Sequence, residues 1–309
     1  MRRAFVTGAS GFIGAAVVRR LLSQGWEVAV LQRGGVLGRR LQGLESQLRL
    51  ILSYGDAVTG FAGQLRQWRP AAVFHLGWAG VGSAYRNAAN LQLANVQFAC
   101  DLAGVCAECD VQHFLGAGSQ AEYGSKSVLI TESECPTPTT LYGAAKLSTC
   151  MLTQRICELA GVRHAWLRIF STYGPGDNPD WMLPSLIRQL LSGSRPSLTG
   201  CEQTWDYLHV DDAAAAFEAV AACSATGIFN LASGVERPLR QVIEMVRELV
   251  DPNAALGFGE VPYRPDQVMR MQVSVERLLQ ATGFTPSVPL SEGLRQLVAE
   301  AVAASGVNK

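Results

Sequence analysis

A tyrosine four residues ahead of a lysine, Tyr142 and Lys146 in "LYGAAK", can move a proton if a hydroxyl stands nearby, and Ser119 in "GSQAEYG" supplies one. A phenol with a reference pKa of about 10 is a poor base alone, but a neighbouring ammonium favours its phenolate. The i, i+4 spacing puts both groups on one face of a helix. Ser119, at a strand end, would hold the reacting oxygen. A second chemistry-bearing stretch is "TGASGFIG", where Gly8, Gly11 and Gly14 are spaced three apart between a strand and a helix. Glycines let the backbone approach a pyrophosphate, while a helix N-terminus offers unpaired N–H groups and partial positive charge. Ser10, Phe12 and Ile13 lie in the same turn and complete the expected cradle.

The elements that must carry these groups follow from the pattern of apolar residues. Short apolar runs alternate with helical patterns: "RAFVTG", a helix over about 12–24, "WEVAVLQ", "LRLILSYGD", "AAVFHLGW", a helix over about 91–109, "VQHFLGAG", a helix over 142–160, and "HAWLRIF". Such βαβ alternation with continuous apolar strands predicts an α/β chain built on a Rossmann-type doubly wound parallel sheet, buried on both faces. After Phe170 the rhythm changes. Pro and Gly gather in "STYGPGDNPDWMLP", and a short strand "GIFNLASG" mixes with helices near 238–250 and 274–282. The expected organisation is a dinucleotide-binding domain from 1–172 plus 202–232, with a smaller mixed α/β substrate-binding lobe from 173–201 plus 233–309.

Composition narrows the partners. Over 309 residues, 26 basic side chains balance 26 acidic ones, which gives no global reason to expect nucleic acid or a membrane surface. Within residues 1–50, however, eight arginines face only Glu27 and Glu45, an excess that suits either a phosphorylated ligand or a solvated basic face. Thr, Ser and Gly interrupt the first apolar stretch, no run of about 18 apolar residues occurs, and the expected location is cytoplasmic. Eight scattered cysteines, with Cys106 and Cys109 lacking a second pair or a His cluster, read as structural or free thiols, and no metal is expected. His75 and His209 have no metal-ligand company and read as structural.

The second strand ends "AVLQRGG", where an acidic residue would accept hydrogen bonds from the adenosine ribose of NAD. Here stand Gln32 and Arg33, and arginine offers a fork of donors to a 2'-phosphate with no carboxylate to repel it. NADP is therefore favoured, with Arg39 or Arg40 as possible further donors. In the competing reading Arg33 is a solvated loop residue, Gln32 binds the ribose, and the cofactor is NAD. Asp56 in "SYGDAV" is placed to meet the adenine edge.

With "GD" at 55–56, "VFHLGWAG", "NVQFACDL", "GAGSQAEYG", "LYGAAK", "LRIFSTYGPGD", "WDYLHVDD", "FNLASG" and "PYRPD" added to the cradle, almost the whole chain resembles the extended short-chain dehydrogenase/reductase family, in its nucleotide-sugar epimerase, dehydratase and reductase group. The resemblance implies Ser119, Tyr142 and Lys146 as the catalytic set and Asn95 on a helix against the site. It adds Ala57, Leu76 and Gly77 to the cofactor-binding residues, and implies a homodimer packed through the helices near 91–109 and 142–160. For substrate it points to Trp78, Gln120, Ser171, Arg195 and Arg264, with a small-molecule sugar nucleotide as ligand.

Departures from the group's pattern refine the reaction. Sugar dehydratases of the group carry acidic residues, or at least one carboxylate, at the two positions after the serine or threonine. This chain has Gln120 and Ala121, neither an acid nor a base at neutral pH, and strand alternation would turn Glu122 away. The epimerase-reductases of the GDP-fucose type place a cysteine where Ala121 stands, so that reaction is disfavoured too. Hydride transfer at one carbon remains: NADPH-dependent reduction of an NDP-4-keto-6-deoxysugar, or alternatively 4-epimerisation with retained NAD. A non-catalytic dinucleotide sensor is disfavoured because Ser119, Tyr142 and Lys146 are all in place. The group also tends to carry Asn where Ser171 stands, and Arg, usually a diphosphate contact, where this chain has Trp205. Trp205 can stack on a base or fill core, Trp78 and Trp181 can line a sugar pocket or fill core, and Arg195 and Arg264 are ligand contacts or surface arginines.

Overall fold

The computed structural model describes residues 2–34, 37–53, 55, 57–264 and 267–305. In chain order the elements are β1 (Arg3–Thr7), α1 (Phe12–Ser23), β2 (Glu27–Arg33), β3 (Leu48–Ser53), α2 (Ala62–Trp68), β4 (Ala72–His75), α3 (Ala89–Glu108), β5 (His113–Ser119), α4 (Leu141–Leu159) and β6 (Arg163–Ile169). They continue as β7 (Ser171–Tyr173), α5 (Met182–Leu191), β8 (Thr204–His209), α6 (Val210–Ala222), β9 (Gly227–Leu231), β10 (Glu236–Pro238), α7 (Leu239–Val250), α8 (Glu276–Thr282) and α9 (Leu290–Ser305). Seven strands form one sheet in the order β3-β2-β1-β4-β5-β6-β9, every neighbouring pair parallel, which is the expected Rossmann-like α/β architecture. The order reverses between β1 and β4. Ligands of such sheets bind outside the strand C-termini at this reversal.

The strands are apolar throughout because both faces are covered. On one face Val17 and Leu21 of α1 pack with Phe217 and Val220 of α6 against Phe74, Leu115 and Leu167. On the other, Leu102 and Cys106 of α3 and Cys157 of α4 meet Phe5, Val73 and Phe114. A second, three-stranded sheet has the order β10-β8-β7. Around it a separate apolar cluster joins α5, α7 and α9 through Ile187, Val242, Ile243 and Leu294. From the segment 202–232, β9 joins the large sheet and β8 the small one.

Three histidines are buried in or beside the large sheet. His75 lies 2.8 Å from Thr7 Oγ1 through Nδ1, and His164 stacks between Phe114 and Trp166. Burial lowers the pKa of His75 to about 3, and those of His113 and His164 to about 4. Each folded value lies below that of the unfolded chain, so the unfolded chain takes up the extra protons as the pH falls from about 6.5. Stability is therefore full above that pH and is lost below it, by about 1.4 kcal/mol per pH unit for each histidine involved. Urea unfolding between pH 6 and 4.5 should show a slope of two to three protons; a flat profile would refute the burial effect.

Candidate active site

The cradle forms where β1 turns into α1. Gly8 has φ +69°, and a Cβ there would lie 2.5 Å from the Gly77 nitrogen, so the turn needs glycine both for its backbone and for the close crossing of the chain after β4. Gly14 packs its Cα against the Gly8 carbonyl with no room for a side chain. Gly11 is the N-cap of α1 and makes no side-chain cap, and the first turn holds no acidic residue. The first N–H groups of α1 are thus free of side-chain caps and positioned for an anion. Thr7 Oγ1 accepts from Gly77 N at 3.2 Å and ties the ends of β1 and β4 together. These features fit the pyrophosphate of a dinucleotide.

The three residues expected from sequence to move a proton assemble beside it. β5 ends at Ser119, and α4 begins with Thr140 as N-cap, its side chain accepting from Gly143 N at 3.1 Å. One helical turn then places Tyr142 and Lys146 together, both buried. The phenol's pKa is raised, first by burial, while a hydrogen bond with Ser119 and the nearby Arg86 charge act in the opposite direction. Burial lowers the Lys146 pKa to about 7, with Glu122 opposing that shift. Its ammonium donates to Ala117 O at 2.6 Å and lies 3.8 Å from the centre of the Trp78 ring. Trp78 meets the Tyr142 ring edge-on at 6.1 Å and donates from Nε1 to Gln92 Oε1 at 2.9 Å. Asn95 clamps the next residue twice, accepting from Ala79 N at 3.0 Å and donating to Ala79 O at 2.9 Å. Asn95 therefore holds the loop that carries Trp78.

After Ser119 the chain leaves the strand in a single 3-10 turn, Gln120–Glu122. Glu122 is turned away from the cavity by this capping turn rather than by strand alternation. It is fully buried, accepting from Ser119 N at 2.8 Å, Trp166 Nε1 at 2.9 Å and Arg168 Nε at 2.7 Å. Trp166 and Glu122 both pass over Gly118, where any side chain would collide with them.

A cavity of about 630 Å³ joins the two assemblies. Of the residues singled out from sequence, Gly8, Gly11, Phe12, Ile13, Gly14 and Leu76 line it. Ser119, Tyr142 and Lys146 line it too, as do Trp78, Gln120 and Ser171. Ser10, Gln32, Arg33, Ala57, Gly77, Arg195 and Arg264 do not line it. Gln32 is buried and donates to Gly34 O at 3.2 Å, and the Arg33 guanidinium lies 5.3 Å from the centre of the Phe98 ring. Arg195 pairs with Glu260 at 2.5 Å on the surface, and Arg264 is exposed. Asp56 lies outside the described residues. Arg40 donates to Gly176 O at 2.7 Å, fastening the loop after β7 close to the cradle.

Several lining residues had no sequence signal of their own. Arg86 follows β4 in an irregular stretch and sits 5.8 Å over the Tyr142 ring. Asp177, in the loop held by Arg40, has its carboxyl pKa raised to about 6 by burial. Gln203 and Tyr207 flank Trp205 at alternate positions, and all three line the cavity. Period-two reading around Trp205 would have found them.

Comparison with known proteins agrees with this geometry. Residues 4–232 match the family described as "NAD dependent epimerase/dehydratase family". The chain is 28% identical to a dTDP-glucose 4,6-dehydratase from Streptomyces griseus over 95% of this chain and 92% of that protein. It is 25% identical to a GDP-6-deoxy-D-mannose reductase from Pseudomonas aeruginosa over 97% of each chain. The solved structure of a UDP-glucose 4-epimerase from Thermus thermophilus in complex with NAD superposes with a TM-score of 0.83 at 27% identity, covering 98% of this chain and 99% of that one.

Proposed function

The chain belongs to the NAD dependent epimerase/dehydratase family, whose members are NAD(P)-dependent enzymes of the short-chain dehydrogenase/reductase type, and we propose on that premise that it reduces the 4-keto group of a nucleotide-linked 6-deoxysugar with NADPH. The observation that carries this reading is the wall after Ser119. Gln120 and Ala121 occupy the turn, Glu122 is locked to Arg168, and among the described lining residues Asp177 is the sole carboxylate. One phenol and one amine therefore serve one oxygen, which suits a single ketone or carbinol rather than proton removal at neighbouring carbons.

A nicotinamide dinucleotide held on the cradle supplies the hydride. Tyr142 gives the proton to the nascent alkoxide, Ser119 holds that oxygen, and Lys146 stabilises the phenolate left behind. Trp78 covers the amine and keeps water from it. Gln32 and Arg33, in place of a carboxylate at the end of β2, favour NADPH. A second reading, 4-epimerisation with retained NAD, draws on the likeness to the Thermus thermophilus 4-epimerase.

Dinucleotide released from freshly purified protein, followed by NADPH and NADH titration of the emptied protein, separates the two. Substoichiometric dinucleotide, tighter NADPH binding, and an Arg33→Ala variant that loses NADPH affinity far more than NADH affinity are expected. Tightly retained NAD would instead establish the epimerase reading.

The proposed assembly is a homodimer through α3 and α4, supported by the exposed apolar side chains they carry: Leu93 (66% exposed), Met151 (63%) and Leu159 (74%). Sedimentation equilibrium should give twice the chain mass, and Met151→Glu should shift it toward one. A monomer at every concentration would rule this assembly out. Among the described residues no helix is long and apolar enough to cross a membrane.

A further inference from the structure

The lobe side of the cavity is built on one face of β8. Gln203, Trp205 and Tyr207 alternate along that strand and its approach, and all three line the cavity, so their face of the small sheet is the ligand face. The neighbouring strand β10 runs antiparallel, with Arg237 directly opposite Trp205 and Glu236 opposite Asp206. Cross-strand partners project to the same face, so Arg237 stands beside Trp205 on that face, just outside the residues that line the cavity. Leu239, two residues on, also lines the cavity. Glu236 lies on the opposite face, where it binds Thr204 Oγ1 at 3.2 Å and pairs with Arg270 at 2.9 Å.

Arg237 is half-buried and, among the described residues, has neither an ion-pair partner nor a side-chain hydrogen bond. Several lobe arginines are committed, Arg195 to Glu260, Arg270 to Glu236, and Arg240 to Gly200 O and the Phe258 ring, while Arg264 is exposed where Arg237 is half-buried. A partly desolvated guanidinium without a counter-ion is stabilised by an anion from outside the chain. Gln203 supplies an independent sign of a ligand on this face. It is 6% exposed, lines the cavity, and its Oε1 has no hydrogen-bond partner.

We propose that Arg237 is a substrate-binding and specificity-determining residue that holds the diphosphate of the nucleotide-linked substrate at the lobe rim, beside the Trp205 ring, while Gln203 Oε1 accepts from a ligand N–H or O–H. The assignment rests on the reading that the substrate is nucleotide-linked. It places the anion-binding charge on β10, opposite a strand whose ligand face offers aromatic rings and an amide but no cation.

The test is calorimetric titration of NADPH-loaded protein with UDP, GDP, CDP and dTDP as probes. Wild-type protein is expected to bind at least one of them. Arg237→Ala should weaken that binding about 10- to 100-fold, the effect of losing a hydrogen bond to a charged group, with NADPH affinity and Tm unchanged. Arg237→Lys should recover part of the loss through charge alone. Equal affinity in Arg237→Ala, equal weakening of NADPH and nucleotide, or no binding of any probe by the wild type would each overturn the assignment. Nucleoside diphosphate binding that depends on Arg237, without turnover of any 4-keto sugar nucleotide, would sink the reductase reading and leave this one standing.

Discussion

Tyr142→Phe is expected to lower kcat on the proposed keto-sugar substrate by about 10²- to 10⁴-fold, the usual contribution of one positioned acid or base. Dinucleotide affinity and Tm should hardly change, because phenylalanine keeps the edge-on contact with Trp78 and leaves the N-terminal turn of α4 capped by Thr140. The substitution removes one hydroxyl from a site whose other described carboxylate and amine groups do not replace it. Asp177 is held by the backbone of Asn178, and Lys146 is directed to Ala117 O. The pH profile supplies a second readout. With a pKa of about 7, Lys146 carries its charge below that pH and loses it above, so reduction by the wild type should decline as pH rises through about 7. The Phe variant, with no phenolate to stabilise, should lose that limb. Unchanged turnover in the variant on a confirmed substrate would rule Tyr142 out as the proton donor.

The largest expected effect on stability belongs to Glu122→Ala. Glu122 and Arg168 are 0% and 2% exposed, and the carboxylate also accepts from Ser119 N and Trp166 Nε1. Removing one member of a buried pair leaves the other charge uncompensated and costs about 3–5 kcal/mol. The Arg168 guanidinium, 4.4 Å over the Tyr123 ring, would have only that ring and weaker acceptors left. Glu122→Gln keeps an acceptor for Ser119 and Trp166 and should lose less, and adding Arg168→Met should recover part of the deficit by removing the stranded charge. Denaturant unfolding of the three variants decides the matter: an alanine variant as stable as wild type would show that the pair contributes nothing. Activity should fall alongside stability in the alanine variant, since the backbone of Ser119 loses its anchor.

The two groups most easily read from the chain are those whose geometry is local. Tyr142 and Lys146 share a helix face because they are one turn apart, and the glycines of the cradle sit in a single strand-to-helix turn. The alternating apolar runs likewise announce the large parallel sheet. Helix ends near 12, 142, 239 and 282 fall within a residue or two of the reading, because cap and turn residues act over one turn.

Contacts between distant segments required the folded chain. The sequence says only that Glu122 is turned away from the site; that it meets Arg168, 46 residues on, and Trp166, 44 residues on, follows because β5 and β6 are neighbours in the sheet. Arg86 reaches Tyr142 through a loop with no periodicity of its own. Trp205 and Arg237 become partners only when β8 and β10 pair in register. The local chain therefore carries the Tyr142–Lys146 pairing and the glycine cradle, since each is set within about one turn. Which charges are neutralised, and which remain for a ligand, is decided by sheet order and register, because those bring together side chains that no local spacing relates.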